Sequence, residues 1–159
     1  MSRRSLAAWV AGIPDADLVI ATGEEPPIGA HLVTPRQGYL HHGIYVGQGR
    51  VIHYTAHAFC LVRRPVEEVS LERFARGKIV RIRAHAADAY EPADIIRRAR
   101  SRLGEDRYRL FTNNCEHFCE WCTRGLHRSA QVETLRAMLG GLRHAAAGSF
   151  RLKSTSIPS

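Results

Sequence analysis

The stretch Asn113-Asn114-Cys115-Glu116-His117-Phe118 decides how this chain is interpreted, because it places a cysteine at the predicted start of a helix. Asn113 or Asn114 is a suitable N-cap, and with Asn113 in that role Glu116 would complete a capping box. A thiol in the first turn feels the partial positive charge of unpaired N–H groups, which lowers its pKa. Cys115 is therefore the candidate nucleophile, and its own N–H is a candidate oxyanion donor.

Two histidines upstream, His41 and His53, fall on strands that the sequence predicts to form one hairpin. If Gly47-Gln48-Gly49 is a three-residue loop, His41 lies diagonal to His53 on the same face, with their Cα atoms about 7–8 Å apart. That register pairs Gly43 with His53 and Val46 with Arg50. A two-residue loop would put the two imidazoles on opposite faces, so the register decides whether both can serve one thiol. The glycine opposite His53 is expected to leave room for a bound group.

The other histidines are predicted to be structural, as a single histidine on a strand usually is. His42 points to the opposite face from His41, and His57 is the competitor of His53 for the second imidazole. His117 stands two positions from Cys115 and does not face it along the helix. The remaining histidines with a structural prediction are His31, His85, His127 and His144.

Metal-ligand residue types are dense on the cysteine helix, which raises the alternative of a zinc site. The candidates are Cys115, His117, Cys119 and Cys122. Structural zinc sites combine two such pairs, and the chain lacks a second pair downstream. We therefore predict neither a metal nor another cofactor. Cys119 and Cys122 are assigned to the buried face of the helix, and the spacing does not form a disulfide framework.

Short alternating or apolar runs bounded by Gly and Pro predict an antiparallel sheet, and amphipathic segments predict helices around it. The predicted strands are 30–34, 39–46, 50–54, 59–63 and 78–83, and the predicted helices cover 70–74, 92–103, 113–124 and 129–139. With 159 residues the chain has the length of one domain. The predicted organisation is an N-terminal extension (1–28), a catalytic domain (29–125), and a C-terminal helix with a basic tail (126–159). The predicted fold class is α+β, with the sheet packed against the helix that carries Cys115.

Charge is concentrated at the C-terminal end of the chain. The net charge is +8, and the region 124–159 holds six basic residues against one acidic residue. The favoured interpretation is a solvated basic face and tail, with peripheral contact to anionic lipid as the alternative. Without a cluster of base-stacking aromatic residues we expect no nucleic-acid partner. No apolar run reaches the ~18 residues of a membrane span, and the start of the chain lacks a cleavage pattern. We expect a cytoplasmic location, with peripheral membrane contact as the variant.

These motifs resemble the lecithin:retinol acyltransferase-like domain, a family that includes the H-Ras-like suppressor phospholipase/acyltransferases. The matching stretches are 38–47, 49–53 and 113–118. The resemblance implies a permuted papain-like (NlpC-type) fold, in which the strand histidines precede the cysteine helix. It implies Cys115 as the nucleophile, His41 as the general base and His53 as the polar third member. It also places Tyr39 near the site, where its hydroxyl could assist the oxyanion or contact the substrate.

The activity that the resemblance implies is a thiol-dependent acyltransferase or acyl hydrolase. Cys115 would attack an ester, with phospholipid as one candidate acyl donor, and the acyl-enzyme would be resolved by water or an acceptor. Two alternatives stay open, an NlpC-type cysteine amidase or peptidase and a non-catalytic basic binding module. Animal members carry a hydrophobic C-terminal anchor and often an aromatic residue where His42 stands here. The chain is more similar to the soluble microbial relatives.

Overall fold

One antiparallel sheet organises the computed structural model, which describes residues 17–21, 23–55, 65–85 and 89–149, with the backbone alone over 141–149. The strand order is β1-β6-β2-β3-β4-β5, and each neighbouring pair is antiparallel. The strands are β1 (Leu18–Val19), β2 (His31–Arg36), β3 (Tyr39–Gly47), β4 (Arg50–Tyr54), β5 (Val66–Ser70) and β6 (Arg81–Ile82). The predicted α+β class with an antiparallel sheet is confirmed.

Four helices accompany the sheet within the described residues. They are α1 (Leu71–Ala75), α2 (Pro92–Ser101), α3 (Cys115–Arg124) and α4 (Ala130–Ser149). Ser70 caps α1 by accepting a hydrogen bond from the Arg73 N–H at 3.1 Å, and Pro92 opens α2, both as predicted. α4 continues well past the predicted end at residue 139 because Gly140 and Gly141 do not interrupt the helix. No helix among the described ranges is both long and apolar enough to cross a membrane.

The two faces of β3 bury different hydrophobic clusters, because successive side chains of a strand alternate between faces. On one face Ile44 packs with α2 and α3, in a cluster that also contains Cys115, Phe118, Cys119 and Cys122. On the other face Tyr45 packs with Val51 and with Phe74 of α1. Cys119 and Cys122 are both 0% exposed, as their core assignment predicted. The two clusters therefore lie on opposite faces of the sheet.

The β3–β4 hairpin differs from the predicted loop and still pairs Gly43 with His53. Its turn has two residues, Gln48 and Gly49, both with positive φ, and Gly47 rather than Val46 pairs with Arg50. A β-bulge at Val46 adds the residue that the shorter loop lacks. The prediction was wrong about the loop, yet the bulge restores the same parity, so His41 and His53 share a face.

Several boundaries of the sequence prediction shift. β5 was not predicted, whereas the predicted strand 59–63, together with His57 and Cys60, lies outside the described residues. β6 covers only two residues of the predicted strand 78–83. Within the range predicted as an N-terminal extension, β1 pairs with β6 at the edge of the sheet. The domain boundaries at residues 28 and 125 stay predictions.

Candidate active site

Cys115 is the first residue of α3, and Asn114 is the N-cap of that helix. The Asn114 side-chain oxygen accepts hydrogen bonds from the N–H groups of Glu116 and His117, both at 3.0 Å. His117, not Glu116, completes the capping box. The predicted box with Asn113 is wrong because the Asn113 amide bonds to the preceding loop instead. His117 therefore has the local structural role that was predicted.

The Cys115 sulfur lies against β3, 4.0 Å from the carbonyl oxygen of Leu40. Burial raises the pKa of this thiol to about 12, although the N–H groups of His42, Glu116 and Cys115 itself act in the opposite direction. The lowered pKa expected at a helix N-terminus is thus not found, because removal of the thiolate from water outweighs the helix dipole. The thiol is protonated at neutral pH.

His41 and His53 are hydrogen-bonded to each other, with 2.9 Å between His41 Nε2 and His53 Nδ1. The other ring nitrogen of His53 lies 3.6 Å from a carboxylate oxygen of Glu67, which in turn accepts a hydrogen bond from the Thr55 hydroxyl at 2.6 Å. A carboxylate is an acceptor only, so the proton of His53 is favoured on Nε2. His41 then donates from its own Nε2, and its Nδ1 keeps a free lone pair.

His41 Nδ1 is the atom of this pair that has the properties of a base. It is buried and has no hydrogen-bond partner among the described residues. Burial, followed by the neighbouring His53 and Arg36, holds the pKa of His41 well below its usual value, and burial lowers that of His53 to about 4. Both rings are therefore neutral at pH 7, and the unpaired nitrogen of His41 is available to accept a proton.

The thiol and this nitrogen adjoin the same short segment of β3 without contacting each other. The Cys115 sulfur lies at the backbone groups of Leu40 and His42, along the strand edge beyond the last β3–β4 pair, Gly43 with His53. Cys115 Sγ faces Leu40 O, and in the part of the chain that the structure describes no hydrogen bond joins it to His41 Nδ1. Hydrogen bonds of catalytic groups are often long in a ligand-free site and tighten with substrate. The arrangement is a neutral thiol and a neutral imidazole on neighbouring elements, not a preformed ion pair.

A cavity lies over the two histidines on the α1 side of the sheet. Its lining consists of Arg36, Tyr39, His41, His53, Thr55, Glu67, Arg73, Phe74 and Arg76. The rings of Tyr39 and His41 meet edge to face, with centroids 6.4 Å apart. The prediction that Gly43 leaves room for a bound group is wrong, because an added Cβ would lie 2.6 Å from Val51 Cγ1 and 2.9 Å from Phe74 Cε2. Protein side chains fill the space beside this glycine.

A second chain of histidines occupies the opposite face of β3. His42 Nδ1 lies 2.8 Å from His31 Nε2, and His31 Nδ1 lies 2.9 Å from His85 Nε2. His85 Nδ1 faces a carboxylate oxygen of Glu120 at 3.8 Å. At the other end, the Gln131 amide nitrogen lies 3.0 Å from His42 Nε2. All three rings thus have polar neighbours, in keeping with the structural roles predicted for His31 and His85.

This second chain also contains a group that the sequence prediction of no metal did not consider. His31, His85 and Glu120 place three possible ligand atoms within 4.8 Å of one another. The residue types suit a transition metal. However, the Gln131 amide is a donor, so His42 carries its proton on Nδ1 and His31 carries its proton on the nitrogen that faces His85. A metal on that His31 nitrogen would have to reverse this order, so the geometry fits a hydrogen-bonded chain better.

Three functional candidates escaped the sequence prediction. Glu67 was missed because the sequence did not predict β5. The two valines of that strand are three residues apart, which does not match the two-residue period of a strand. Glu116 is buried and bonds to Arg83 at 3.1 Å and to Ser129, and although burial opposes it, His42 and these partners lower its pKa to about 2. Gln131 bonds to residues about 90 positions away along the chain. No local pattern would have identified it.

Comparison with known proteins gives the family. Residues 24–128 match the family model described as lecithin retinol acyltransferase. Lecithin retinol acyltransferase of Mus musculus is 30% identical over 132 residues, covering 66% of this chain and 57% of the mouse protein, so the chain spans little more than half of that relative. Phospholipase A and acyltransferase 2 of Homo sapiens is 32% identical over 123 residues, with 67% of this chain and 76% of the relative covered. The chain belongs to the lecithin retinol acyltransferase family.

Proposed function

We propose that this protein is a thiol-dependent acyltransferase or acyl hydrolase that uses Cys115 as nucleophile and His41 as general base. The observation that carries the proposal is the buried Nδ1 of His41, which has no hydrogen-bond partner among the described residues and which the His53 and Glu67 contacts leave unprotonated. A free base nitrogen beside the strand segment that the Cys115 sulfur touches suits acyl transfer. The family and the two relatives described above are also named as acyltransferases.

The first half of the reaction forms the acyl-enzyme. As the Cys115 sulfur bonds to the ester carbonyl carbon, its proton passes to His41 Nδ1, because a thiol whose pKa is near 12 does not ionise beforehand. The N–H of Cys115 and the Tyr39 hydroxyl would donate hydrogen bonds to the tetrahedral oxyanion. The carbon–oxygen bond to the alcohol then breaks, His41 returns the proton to the departing oxygen, and a thioester is left on Cys115.

The second half of the reaction releases the acyl group. Water or the hydroxyl of an acceptor attacks the thioester while His41 Nδ1 takes its proton. The sulfur departs and recovers a proton from the His41 imidazolium, which restores the neutral pair. His53 would support the imidazolium through its bond to His41 Nε2, with the Glu67 carboxylate behind it. In this role His53 and Glu67 act through His41 and not on the substrate.

The order of these groups along the chain fits a permuted papain-like (NlpC-type) arrangement. His41 on β3 and His53 on β4 precede Cys115 at the start of α3, so the strands that supply the base come before the helix that supplies the nucleophile. The antiparallel sheet and this order are compatible with such a fold. The same constellation could act on amides, so the NlpC-type amidase stands as the second candidate.

Lipid access would be peripheral in this proposal. α4 exposes Leu135, Met138 and Leu139, which are 40%, 53% and 50% accessible, and Phe111 beside it is 45% accessible. Basic residues of the C-terminal region would add attraction to anionic lipid. Flotation with phosphatidylserine vesicles should recover the protein, and Leu139→Glu should weaken recovery. Equal recovery of both proteins would remove α4 from the lipid contact.

The test of the function is a substrate panel with a matched cysteine control. Purified protein is assayed on phospholipid, a model aryl ester and a cell-wall peptide, alongside Cys115→Ala and Cys119→Ala. Ester turnover that Cys115→Ala abolishes and Cys119→Ala retains per folded molecule is expected. Turnover of the peptide alone would favour the amidase, and no turnover of any substrate would favour the non-catalytic binding module. Full activity of Cys115→Ala would contradict the proposal.

A further inference from the structure

Gln131, the second residue of α4, makes a two-point contact with the backbone of Leu40. The Leu40 N–H donates to Gln131 Oε1 at 2.8 Å, and Gln131 Nε2 donates to the Leu40 carbonyl at 3.2 Å. Tyr45 exchanges its backbone hydrogen bonds with the β2 side of β3, so Leu40 directs its N–H and carbonyl to the opposite edge, beyond the last β3–β4 pair at Gly43 and His53. The side-chain amide thus takes the place of a strand residue next to Leu40.

The same side chain ties this strand segment to the helix that carries Cys115. The Gln131 main-chain N–H donates to a carboxylate oxygen of Glu116 at 3.1 Å, and Gln131 Nε2 lies 3.3 Å from that oxygen. Leu40 precedes His41, and its carbonyl oxygen lies 4.0 Å from the Cys115 sulfur. Gln131 therefore bridges the elements that supply the proposed base and nucleophile.

Gln131 also fixes the direction of the buried histidine chain. Because its oxygen is committed to the Leu40 N–H, its nitrogen faces His42, and a carboxamide nitrogen only donates. His42 must accept on Nε2 and carry its proton on Nδ1. His42 then donates from Nδ1 to His31 Nε2, and His31 donates from Nδ1 to His85 Nε2. His31 and His85 therefore also carry their protons on Nδ1. One amide determines three tautomers.

We infer that Gln131 is a positioning residue for acyl transfer, holding the β3 segment before His41 against the start of α3. It lies beyond the part of the chain that the family model covers, which ends at residue 128. This inference rests on the proposed function, because the groups that it positions are His41 and Cys115. It predicts a loss in kcat larger than any change in KM when the amide is altered, together with a change in histidine tautomers.

The test uses Gln131→Glu, which keeps the side-chain length and replaces the donor with an acceptor. Long-range ¹H–¹⁵N spectra of the imidazoles report which ring nitrogen is protonated. In the unmodified protein His42, His31 and His85 should be protonated on Nδ1, and in Gln131→Glu all three should change to Nε2. Thr134→Glu is the matched control, since Thr134 is exposed on the same helix. It should leave the three tautomers unchanged.

Activity is measured on the same proteins with the ester substrate. Gln131→Glu should lower kcat at least about tenfold with KM within about threefold, and Thr134→Glu should stay within twofold of the unmodified protein. Reversed tautomers with unchanged kcat would overturn the positioning role, and so would Nε2 protonation of His42 in the unmodified protein, which needs no variant. If the unmodified protein shows no Cys115-dependent turnover, the proposed function fails, while the spectra still test whether Gln131 sets the tautomers of His42, His31 and His85.

Discussion

His41 and His42 are adjacent on β3, point to opposite faces, and each bonds to a histidine on a neighbouring strand. His41 bonds to His53 on β4 at 2.9 Å, and His42 bonds to His31 on β2 at 2.8 Å. Their local geometry is nearly the same, yet their far nitrogens differ. His42 Nε2 meets the Gln131 amide, whereas His41 Nδ1 has no hydrogen-bond partner within the described residues. In the proposed mechanism, reactivity depends on the ring nitrogen that has no partner among the described residues.

The two faces also differ in what lies over the rings. The His41 and His53 pair lines a cavity, whereas His42 is 0% exposed and contacts His31 of β2 and Gln131 of α4. A buried polar group without a partner costs free energy, so proteins rarely keep one without a use for it. A satisfied buried network instead rigidifies the structure. The comparison predicts that the first pair is needed for activity and the second for stability.

Substitution of each member of the adjacent pair should have the largest effect and separate the two roles. His41→Gln should lower kcat by about 10²–10⁴ because the base is lost, with only a small change in Tm. His42→Gln should lower the free energy of unfolding by about 1–3 kcal/mol, since it breaks buried hydrogen bonds, while activity per folded molecule falls far less. Ester kinetics and chemical denaturation are the measurements. Equal losses of activity would remove the distinction between the faces.

Acid should destabilise the protein through both histidine groups. Burial lowers the pKa of both His42 and His53 from 6.5 to about 4 in the folded protein. The unfolded chain therefore binds more protons below pH 6.5, and the free energy of unfolding should fall as the pH drops from 6.5 to 4, by roughly 3 kcal/mol for each group. Denaturation at a series of pH values measures the slope.

The share of His42 in that pH dependence can be isolated. His42→Gln should flatten the slope between pH 6.5 and 4, whereas Thr134→Gln, a change at an exposed position without a titratable group, should leave it unchanged. If His42→Gln and the unmodified protein gave parallel curves, His42 would not be held neutral in the folded state. The complete burial of His42 would then need another explanation.

Glu67 should have the smallest effect, because it acts on His41 only through His53. Glu67→Ala removes the acceptor 3.6 Å from His53 Nε2, so the proton of His53 is less firmly held there. We expect kcat to fall on the order of tenfold, since the base itself remains. Glu68→Ala is the matched control on the same strand, where Glu68 pairs with Arg50 at the surface. A control that lost as much activity would rule out a specific role for Glu67.

The sequence was sufficient to predict the parts of the site that depend on local periodicity. The shared face of His41 and His53 followed from strand alternation, and it survived a wrong loop because the bulge at Val46 adds back one residue. The cap before Cys115 is Asn114, one of the two asparagines that the sequence predicted for this position. Each of these features is set by a few neighbouring residues.

The rest depends on contacts between distant parts of the chain. The pKa of Cys115 rises because packing removes the sulfur from water, which a helix N-terminus alone does not reveal. Glu67 reaches His53 only through the β4–β5 register, and β5 carried no clear strand period. Gln131 lies 91 residues from Leu40. Desolvation and long-range pairing are properties of the fold, and local pattern does not encode them.

Mass spectrometry of the intact protein during turnover tests the central claim, that Cys115 carries the acyl group. The protein is mixed with an ester substrate, quenched in acid, and compared with Cys115→Ala and Cys119→Ala under the same conditions. The mechanism predicts a mass increase of one acyl group, sensitive to hydroxylamine, in the unmodified protein and in Cys119→Ala. It predicts no adduct on Cys115→Ala. An acyl adduct that persists in Cys115→Ala, or turnover by that variant, would contradict the mechanism.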